Sequence, residues 1–373
     1  MFRLAGFLMA KINVQYCQFL IIGYVMSVIP NNDFLALTTD NEWHLAPFNI
    51  EDPNYIIEVW DTGVIYFQPK SIALSNVQNC YVFSSAVHGN ETAPIEICNE
   101  LITNILSGTF HPTHPVLFIF GNPASINIGK RFVEENMNRL FSGYHSKGLD
   151  PQGRGSNNER VRANKLEQYV SKFFGFYPQT HKTHYDLHTA IRDSAHDKFA
   201  VYPCLHGKPW NRQQFEILRA MGVTTFLLMQ KAATTFSYYS SNTHGAQAFT
   251  IELGKVRPFG QNDQAKFAAA KQTLIDLLMA QDFDADGYDA NNYQLMSVSR
   301  EIIKNHDDFE LNFSDEAANF TEYQAGQMIA KENGEAILVE QPIEAIVFPN
   351  ANVEIGQRAI LMVVPTDISN NLI

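Results

Sequence analysis

Three short apolar runs in this chain each end on residues that can bind a metal or carry a proton. No other feature constrains the fold as much. Tyr81–Val87 leads into His88-Gly-Asn-Glu91, Thr183–Tyr185 into Asp186-Leu-His188, and Ala248–Thr250 into Ile251-Glu252-Leu-Gly254. Val116–Gly121, Phe199–Tyr202 and Thr224–Met229 are similar runs and read as further buried strands. Amphipathic stretches separate them. Thr92 and Pro94 open a helix, as N-cap and early-turn residue, whose Ile97, Leu101, Ile102, Ile105 and Leu106 share one face. Asn158 to Phe174, closed by Gly175, reads as a second helix, and Asn262 to Met279 as a third. Strands alternating with helices predict an α/β sheet covered on both faces, with ligand residues gathered at strand ends.

The polar, turn-rich stretch Asp284–Asn292 marks a boundary. It lacks the twelfth-position glutamate of a calcium loop and reads as a solvated linker. Beyond it Ala336–Val339, Ile343–Phe348 and Ala359–Val364 are short and β-like. The expected division is an N-terminal extension over residues 1–32, a catalytic domain over 33–284 and a smaller β-rich domain over 285–373. Tyr16–Ile29 loosely resembles a signal-peptide core, but Gln18 interrupts it and it falls short of the roughly 20 residues of a span. Translation from Met26 is the favoured reading, and stable membrane insertion is not expected. Cys17, Cys80, Cys98 and Cys204 form no C-x-x-C pair, so reduced, structural thiols and a cytoplasmic setting are expected. A formal charge of −12 argues against nucleic acid as a partner. It would also repel an anionic substrate, which then requires a local cluster of arginines.

Taken alone, the His88/Glu91 pair is a weak signal, because glutamate is common near helix N-termini. His188 strengthens it, with Asp186 two residues earlier as the carboxylate expected beside a ligating histidine. Two histidines and a glutamate that leave one position open are a frequent catalytic zinc set. Glu252 lies in an apolar run where an unpaired acid is costly, which suits a general base beside such a metal. These residues predict a zinc amidohydrolase. Arg131 and Arg139 bracket an intervening loop, with Asn138 beside the second. On their own they read as solvated arginines, although the planar guanidinium suits carboxylates.

The blocks HGNET (88–92), GNPAS (121–125), NMNRLF (136–141), YDLHTAIR (185–192) and IELGKVRPFGQND (251–263) carry a more specific signal. In content and order they resemble the succinylglutamate desuccinylases, within the desuccinylase/aspartoacylase branch of the zinc carboxypeptidase clan. The resemblance spans roughly residues 33 to 280. It implies a carboxypeptidase-like α/β/α domain with a mixed sheet and a smaller β-rich C-terminal domain. It also implies one zinc ion per subunit on His88, Glu91 and His188, with Glu252 as general base. Arg131 would polarise the scissile carbonyl, Asn138 and Arg139 would hold a substrate carboxylate, and Arg192 would be a further substrate contact. The implied reaction is hydrolysis of N-succinyl-L-glutamate to succinate and L-glutamate, the last step of arginine degradation by the succinyltransferase pathway. An aspartoacylase-like deacylase of another N-acyl amino acid is the alternative, and a non-catalytic zinc-binding protein a distant one. The C-terminal domain carries no motif that assigns a residue to the substrate. Self-association into a homo-oligomer is left open by the sequence.

Overall fold

The computed structural model describes residues 28–150, 153, 155–283 and 287–373. Most of the 1–32 extension, Cys17, the Met26 start and the first three residues of the 284–292 linker lie outside the described residues. Sixteen strands are present among the described residues. In chain order they are β1 (Phe48–Glu51), β2 (Tyr55–Asp61), β3 (Val64–Pro69), β4 (Asn79–Ser85), β5 (Val116–Phe120), β6 (His181–Ala190), β7 (Phe199–Tyr202) and β8 (Thr225–Leu228). They continue with β9 (Gln247–Lys255), β10 (Gln294–Ile303), β11 (Glu310–Leu311), β12 (Thr321–Gln324), β13 (Met328–Glu332), β14 (Glu335–Leu338), β15 (Ile343–Val347) and β16 (Arg358–Pro365). Thirteen form one mixed sheet, in the order β1-β2-β3-β5-β4-β6-β9-β7-β8-β10-β16-β15-β12, and β11, β13 and β14 form a small second sheet. The three ligand-bearing strands β4, β6 and β9 are adjacent, mutually parallel and central.

The helices are α1 (Phe34–Asp40), α2 (Thr92–Leu106), α3 (Pro123–Asn127), α4 (Asn158–Phe176), α5 (Arg212–Ala220), α6 (Phe236–His244) and α7 (Gln264–Leu278). Alternation along the central strands sends successive side chains to opposite layers. Tyr81, Phe83, Tyr185, Leu187, Phe249 and Ile251 pack with α2, α5 and α7 in one core. Cys80, Val82 and Ala248 face a second core built with α4 and α6. This is the α/β/α sandwich expected from the sequence. The C-terminal strands extend the same sheet, because β10 pairs in parallel with β8 and antiparallel with β16. Ile302, Phe309, Ile329, Ile346 and Ile360 give that region a core of its own.

Three local details differ from the sequence reading. The N-cap of α2 is Glu91 and not Thr92, whose hydroxyl instead donates to the Arg257 carbonyl at 2.6 Å. Glu91 makes no capping bond, since its carboxylate is turned into the site described below. Helix α4 runs through Gly175 to Phe176, because tertiary packing of Phe173 and Phe174 outweighs one glycine. The hairpins of β1 to β3 and helix α6 carry too little periodicity to be recognised in advance. Cys80, Cys98 and Cys204 are free and buried, as expected.

Candidate active site

The site forms where β4, β6 and β9 end. Chain direction changes abruptly after β4: Ala86 adopts φ +57°, a left-handed conformation costly for a residue with a Cβ. Two bonds hold it there, from the Gly121 N–H to the Ser85 carbonyl (2.8 Å) and from the Asn122 N–H to the Ala86 carbonyl (2.7 Å). Gly89 follows, packed so closely on α3 that an added Cβ would lie 2.1 Å from the Ser125 carbonyl carbon. The HGNET and GNPAS blocks are therefore two halves of one contact. Side chains of His188 and Glu252 lie side by side on one face, because these residues are register partners on parallel strands.

His88, Glu91 and His188 converge, all three buried, with one potential ligand atom from each lying within 4.8 Å of the others. His88 Nδ1 is 2.8 Å from Glu91 Oε1, and His188 Nδ1 is 2.8 Å from Glu91 Oε2. The far ring nitrogens also face oxygens. His88 Nε2 is 2.9 Å from Asn136 Oδ1, and His188 Nε2 is 3.0 Å from Asp186 Oδ2. The Asn136 oxygen is identified by the Asn138 N–H that donates to it at 3.0 Å. A neutral imidazole has a single N–H to offer. Burial, followed by repulsion from Arg131, brings the His88 pKa down to about 4, so it is neutral at physiological pH. One of its nitrogens then faces an oxygen with no proton between them. A cation among the Nδ1 atoms and Glu91, with Nε2–H donated outwards, removes that conflict and is the usual arrangement around a metal-bound histidine. The residues can bind a metal ion.

Glu91 is the hub. Burial favours its neutral form, but His88, His188 and Arg131 outweigh this and hold its pKa well below the carboxylate range. Arg131 Nη1 donates to Glu91 Oε1 at 2.6 Å and the Thr189 N–H to Oε2 at 3.1 Å. Behind His188 a polar seam runs inward. Ser84 Oγ donates to Asp186 Oδ1 at 2.6 Å and contacts His184 Nε2 at 2.7 Å, while His184 Nδ1 meets Ser240 Oγ at 2.6 Å. Glu252 differs from Glu91. Its Oε2 is buried with no hydrogen-bond partner. Burial, then the negative charge of Glu91, raises its pKa to about 7.

The NMNRLF block closes one side. Phe141 stacks on Phe236 at 4.3 Å between ring centroids, docking the block on α6. The Phe236 N–H donates to Asn138 Oδ1 at 3.0 Å. That bond turns the Asn138 amide so that its NH2 is left as a donor for something else. Among the described residues the Arg139 side chain makes a single bond, from Nη1 to the Asn138 carbonyl at 2.9 Å. Arg192 is taken elsewhere. Its Nε donates to the Pro349 carbonyl at 3.0 Å and its Nη1 to the Asp315 and Ala317 carbonyls, so it ties the end of β6 to the C-terminal region. Those bonds, with the Asp315 carboxylate 3.5 Å from Nη2, commit its guanidinium to the C-terminal region. Sequence reasoning overlooked Asn136 and Ser84, whose spacing carries no signal of its own, although Asn136 lies inside a block already singled out.

Comparison with known proteins decides the family. Residues 78–278 match the succinylglutamate desuccinylase/aspartoacylase catalytic domain, and residues 291–366 match the AstE/AspA barrel-sandwich hybrid domain. The chain belongs to the succinylglutamate desuccinylase/aspartoacylase family. It is 48% identical to the succinylglutamate desuccinylase of Idiomarina loihiensis over 342 residues, covering 90% of this chain and 97% of that one. A crystal structure of succinylglutamate desuccinylase from Vibrio parahaemolyticus superposes with a TM-score of 0.79 at 32% identity, covering 90% of this chain and 95% of that one. The Chromobacterium violaceum enzyme of the same name gives 0.76 at 33% identity, covering 91% and 99%. The barrel-sandwich match accounts for the β-rich C-terminal region that the sequence led us to expect.

Proposed function

We propose that this family member hydrolyses N-succinyl-L-glutamate to succinate and L-glutamate, in the cytoplasmic degradation of arginine. The observation that carries the reading is the buried His88/Glu91/His188 donor set beside an unpartnered Glu252 of raised pKa. One zinc ion per subunit on those three residues would supply Lewis acidity and lower the pKa of water towards about 7. Glu252 takes a proton from the attacking water and passes it to the amine nitrogen as the amide C–N bond breaks. Arg131, at the mouth of the donor set, stabilises negative charge on the carbonyl oxygen, a donor worth about 3 kcal/mol at comparable sites. The Asn138 amide and Arg139 hold a carboxylate of the substrate. Arg192 acts indirectly, by fixing the C-terminal region against β6. Among the described residues no helix is long and apolar enough to cross a membrane.

The test is release of free glutamate from N-succinyl-L-glutamate by purified protein, with N-acetyl-L-aspartate in parallel. Both are assayed as purified, after chelation and after restoring zinc. Preference for the succinyl substrate that is lost on chelation and recovered with zinc is the expected result. Preference for acetylaspartate overturns the substrate but keeps the chemistry, and inactivity on both overturns the reading.

A further inference from the structure

Two arginines from different parts of the chain lie within electrostatic reach of each other and of Glu301, and among the described residues neither side chain bonds an acid. The segment that carries Arg358 is held near the end of β6, since the Asn350 N–H donates to the Ala359 carbonyl and Arg192 bonds the adjoining Pro349. Arg139 ends the short turn Met137–Arg139, and Arg358 opens β16 opposite Ile303 of β10. The Arg358 side chain makes no hydrogen bond or ion pair among the described residues, and its Nε is buried without a partner. Among the described residues the only side-chain bond of Arg139 goes to the carbonyl of its own neighbour. Burial brings the Arg139 pKa down to about 9, with Arg358 and then Arg131 adding repulsion and only Glu301 opposing. Glu301 is bonded to neither arginine. Other withdrawn arginines in this protein are treated differently. Arg300, next to Glu301 on β10, bonds Glu340, Glu344 and the Leu338 carbonyl. Arg162 bonds Asp61 and three backbone carbonyls. Withdrawn cations are ordinarily paired, because leaving one unpaired is costly. Two that repel each other at the edge of a catalytic cleft therefore mark a place where an anion belongs.

We propose that Arg358, reaching in from the C-terminal region, is a specificity-determining residue that binds a second carboxylate of the substrate while Arg139 and Asn138 bind the first. This rests on the substrate reading above. Two guanidiniums within electrostatic reach of each other match two carboxylates on one short chain, and so favour an N-acylated dicarboxylic amino acid over a monocarboxylic one. They also resolve the repulsion expected between an acidic chain and an anionic substrate, since the positive field is concentrated at the cleft.

The test compares wild type with Arg358→Met, which keeps side-chain length, and Arg358→Lys. Substrates are N-succinyl-L-glutamate and three analogues that each lack one carboxylate: N-succinyl-L-glutamine, N-butyryl-L-glutamate and N-succinyl-4-aminobutyrate. Arg358→Met is expected to lose on the order of 100-fold in kcat/KM on the parent, mostly through KM, as for truncating one side of a buried charge pair. The loss should vanish on a single analogue, the one already lacking the carboxylate that Arg358 reads. Arg358→Lys should recover part of the loss, since it restores charge without the planar fork. Thermal stability should be unchanged or higher in Arg358→Met, because a buried repulsion is removed. An equal loss on all four substrates, or no loss on the parent, overturns the proposal. Should Arg358→Met fail to fold, the same four-substrate comparison in Arg358→Lys decides. Should wild type hydrolyse none of the four, the substrate reading fails, and calorimetric binding of glutarate by wild type and by the folded variant decides this proposal separately. Weakened binding in the variant upholds it, and unchanged binding overturns it.

Discussion

One cleft holds two groups of buried charge that the protein treats in opposite ways. Around His88, Glu91 and His188 every ring nitrogen and carboxylate oxygen has a neighbour, supplied by Asn136, Asp186, Arg131 and the Thr189 N–H. Around the Glu252, Arg139 and Arg358 side chains, hydrogen-bond partners among the described residues are missing or reduced to a backbone carbonyl. The first group is a scaffold whose geometry is set before anything binds. The second stores unsatisfied charge, which folding alone would not select and which a substrate can relieve. Positions in the second group should cost turnover when changed and little stability, while positions around the first should cost metal affinity.

The largest effect should come from Glu252→Gln, which keeps shape and burial but removes the base. Turnover should fall by about a thousandfold or more. Bound metal, measured by elemental analysis, should stay stoichiometric, and thermal stability should not drop, because a buried unpartnered acid is gone. Turnover close to wild type would remove Glu252 from the reaction.

Arg131→Ala comes next, with a loss of about a hundredfold to a thousandfold, mainly in kcat. Because Arg131 also donates to Glu91, the comparison needs metal content beside rate. A loss of rate that disappears once zinc is saturating would make Arg131 a support for Glu91 and not a stabiliser of the carbonyl oxygen. Asp186→Asn belongs to the scaffold and should lower metal affinity about 10- to 100-fold by releasing His188 Nε2. Competition with a chelator reads this directly. An unchanged affinity would show that Ser84 and His184 hold the histidine without the carboxylate.

The scaffold was more legible in the sequence than the arginines of the unsatisfied group, for physical reasons. His88, Glu91 and His188 sit at the ends of apolar runs, as does Glu252 of the second group, and a polar residue closing a buried strand is visible against its neighbours. Strands β5, β7 and β8 were found within one residue and β4 within two, for the same reason. Arg139 and Asn138 could be placed only through the resemblance of the NMNRLF block, since nothing local separates a ligand arginine from a solvated one. Arg358 was invisible, because its meaning arises when β16 pairs with β10 and brings it to Arg139 across more than 200 residues of chain. Arg192 shows the converse. It lies in a recognised block, yet the fold directs its donors to backbone carbonyls of the C-terminal region. Family blocks mark which residues are constrained, and tertiary pairing decides what they touch.

A third cluster provides the control, with charge that is buried and fully satisfied but remote from any chemistry. The Asp61 carboxylate accepts from the Thr62 N–H at 2.8 Å, from Tyr169 Oη at 3.1 Å, from Lys165 Nζ at 3.3 Å and from Arg162 Nη1 at 3.4 Å. Burial alone would raise its pKa, but Arg162, the Thr62 N–H and Lys165 outweigh this and lower it below 3.8. A carboxylate with a lowered folded pKa contributes stability that is complete above its unfolded pKa and is lost as pH falls through the folded value. Asp61→Asn should therefore cost about 1.5 kcal/mol at pH 7, the low end for bonds to a charged group, because Asn keeps one acceptor and Lys165 is part-exposed. The gap in thermal stability between wild type and variant should then close as the pH is taken from 5 to 3, while kcat at pH 7 stays as in wild type. A gap that persists unchanged into acid would mean that Asp61 acts through shape and not charge. Satisfied buried charge would then be worth less to this fold than its contrast with the arginine pair implies.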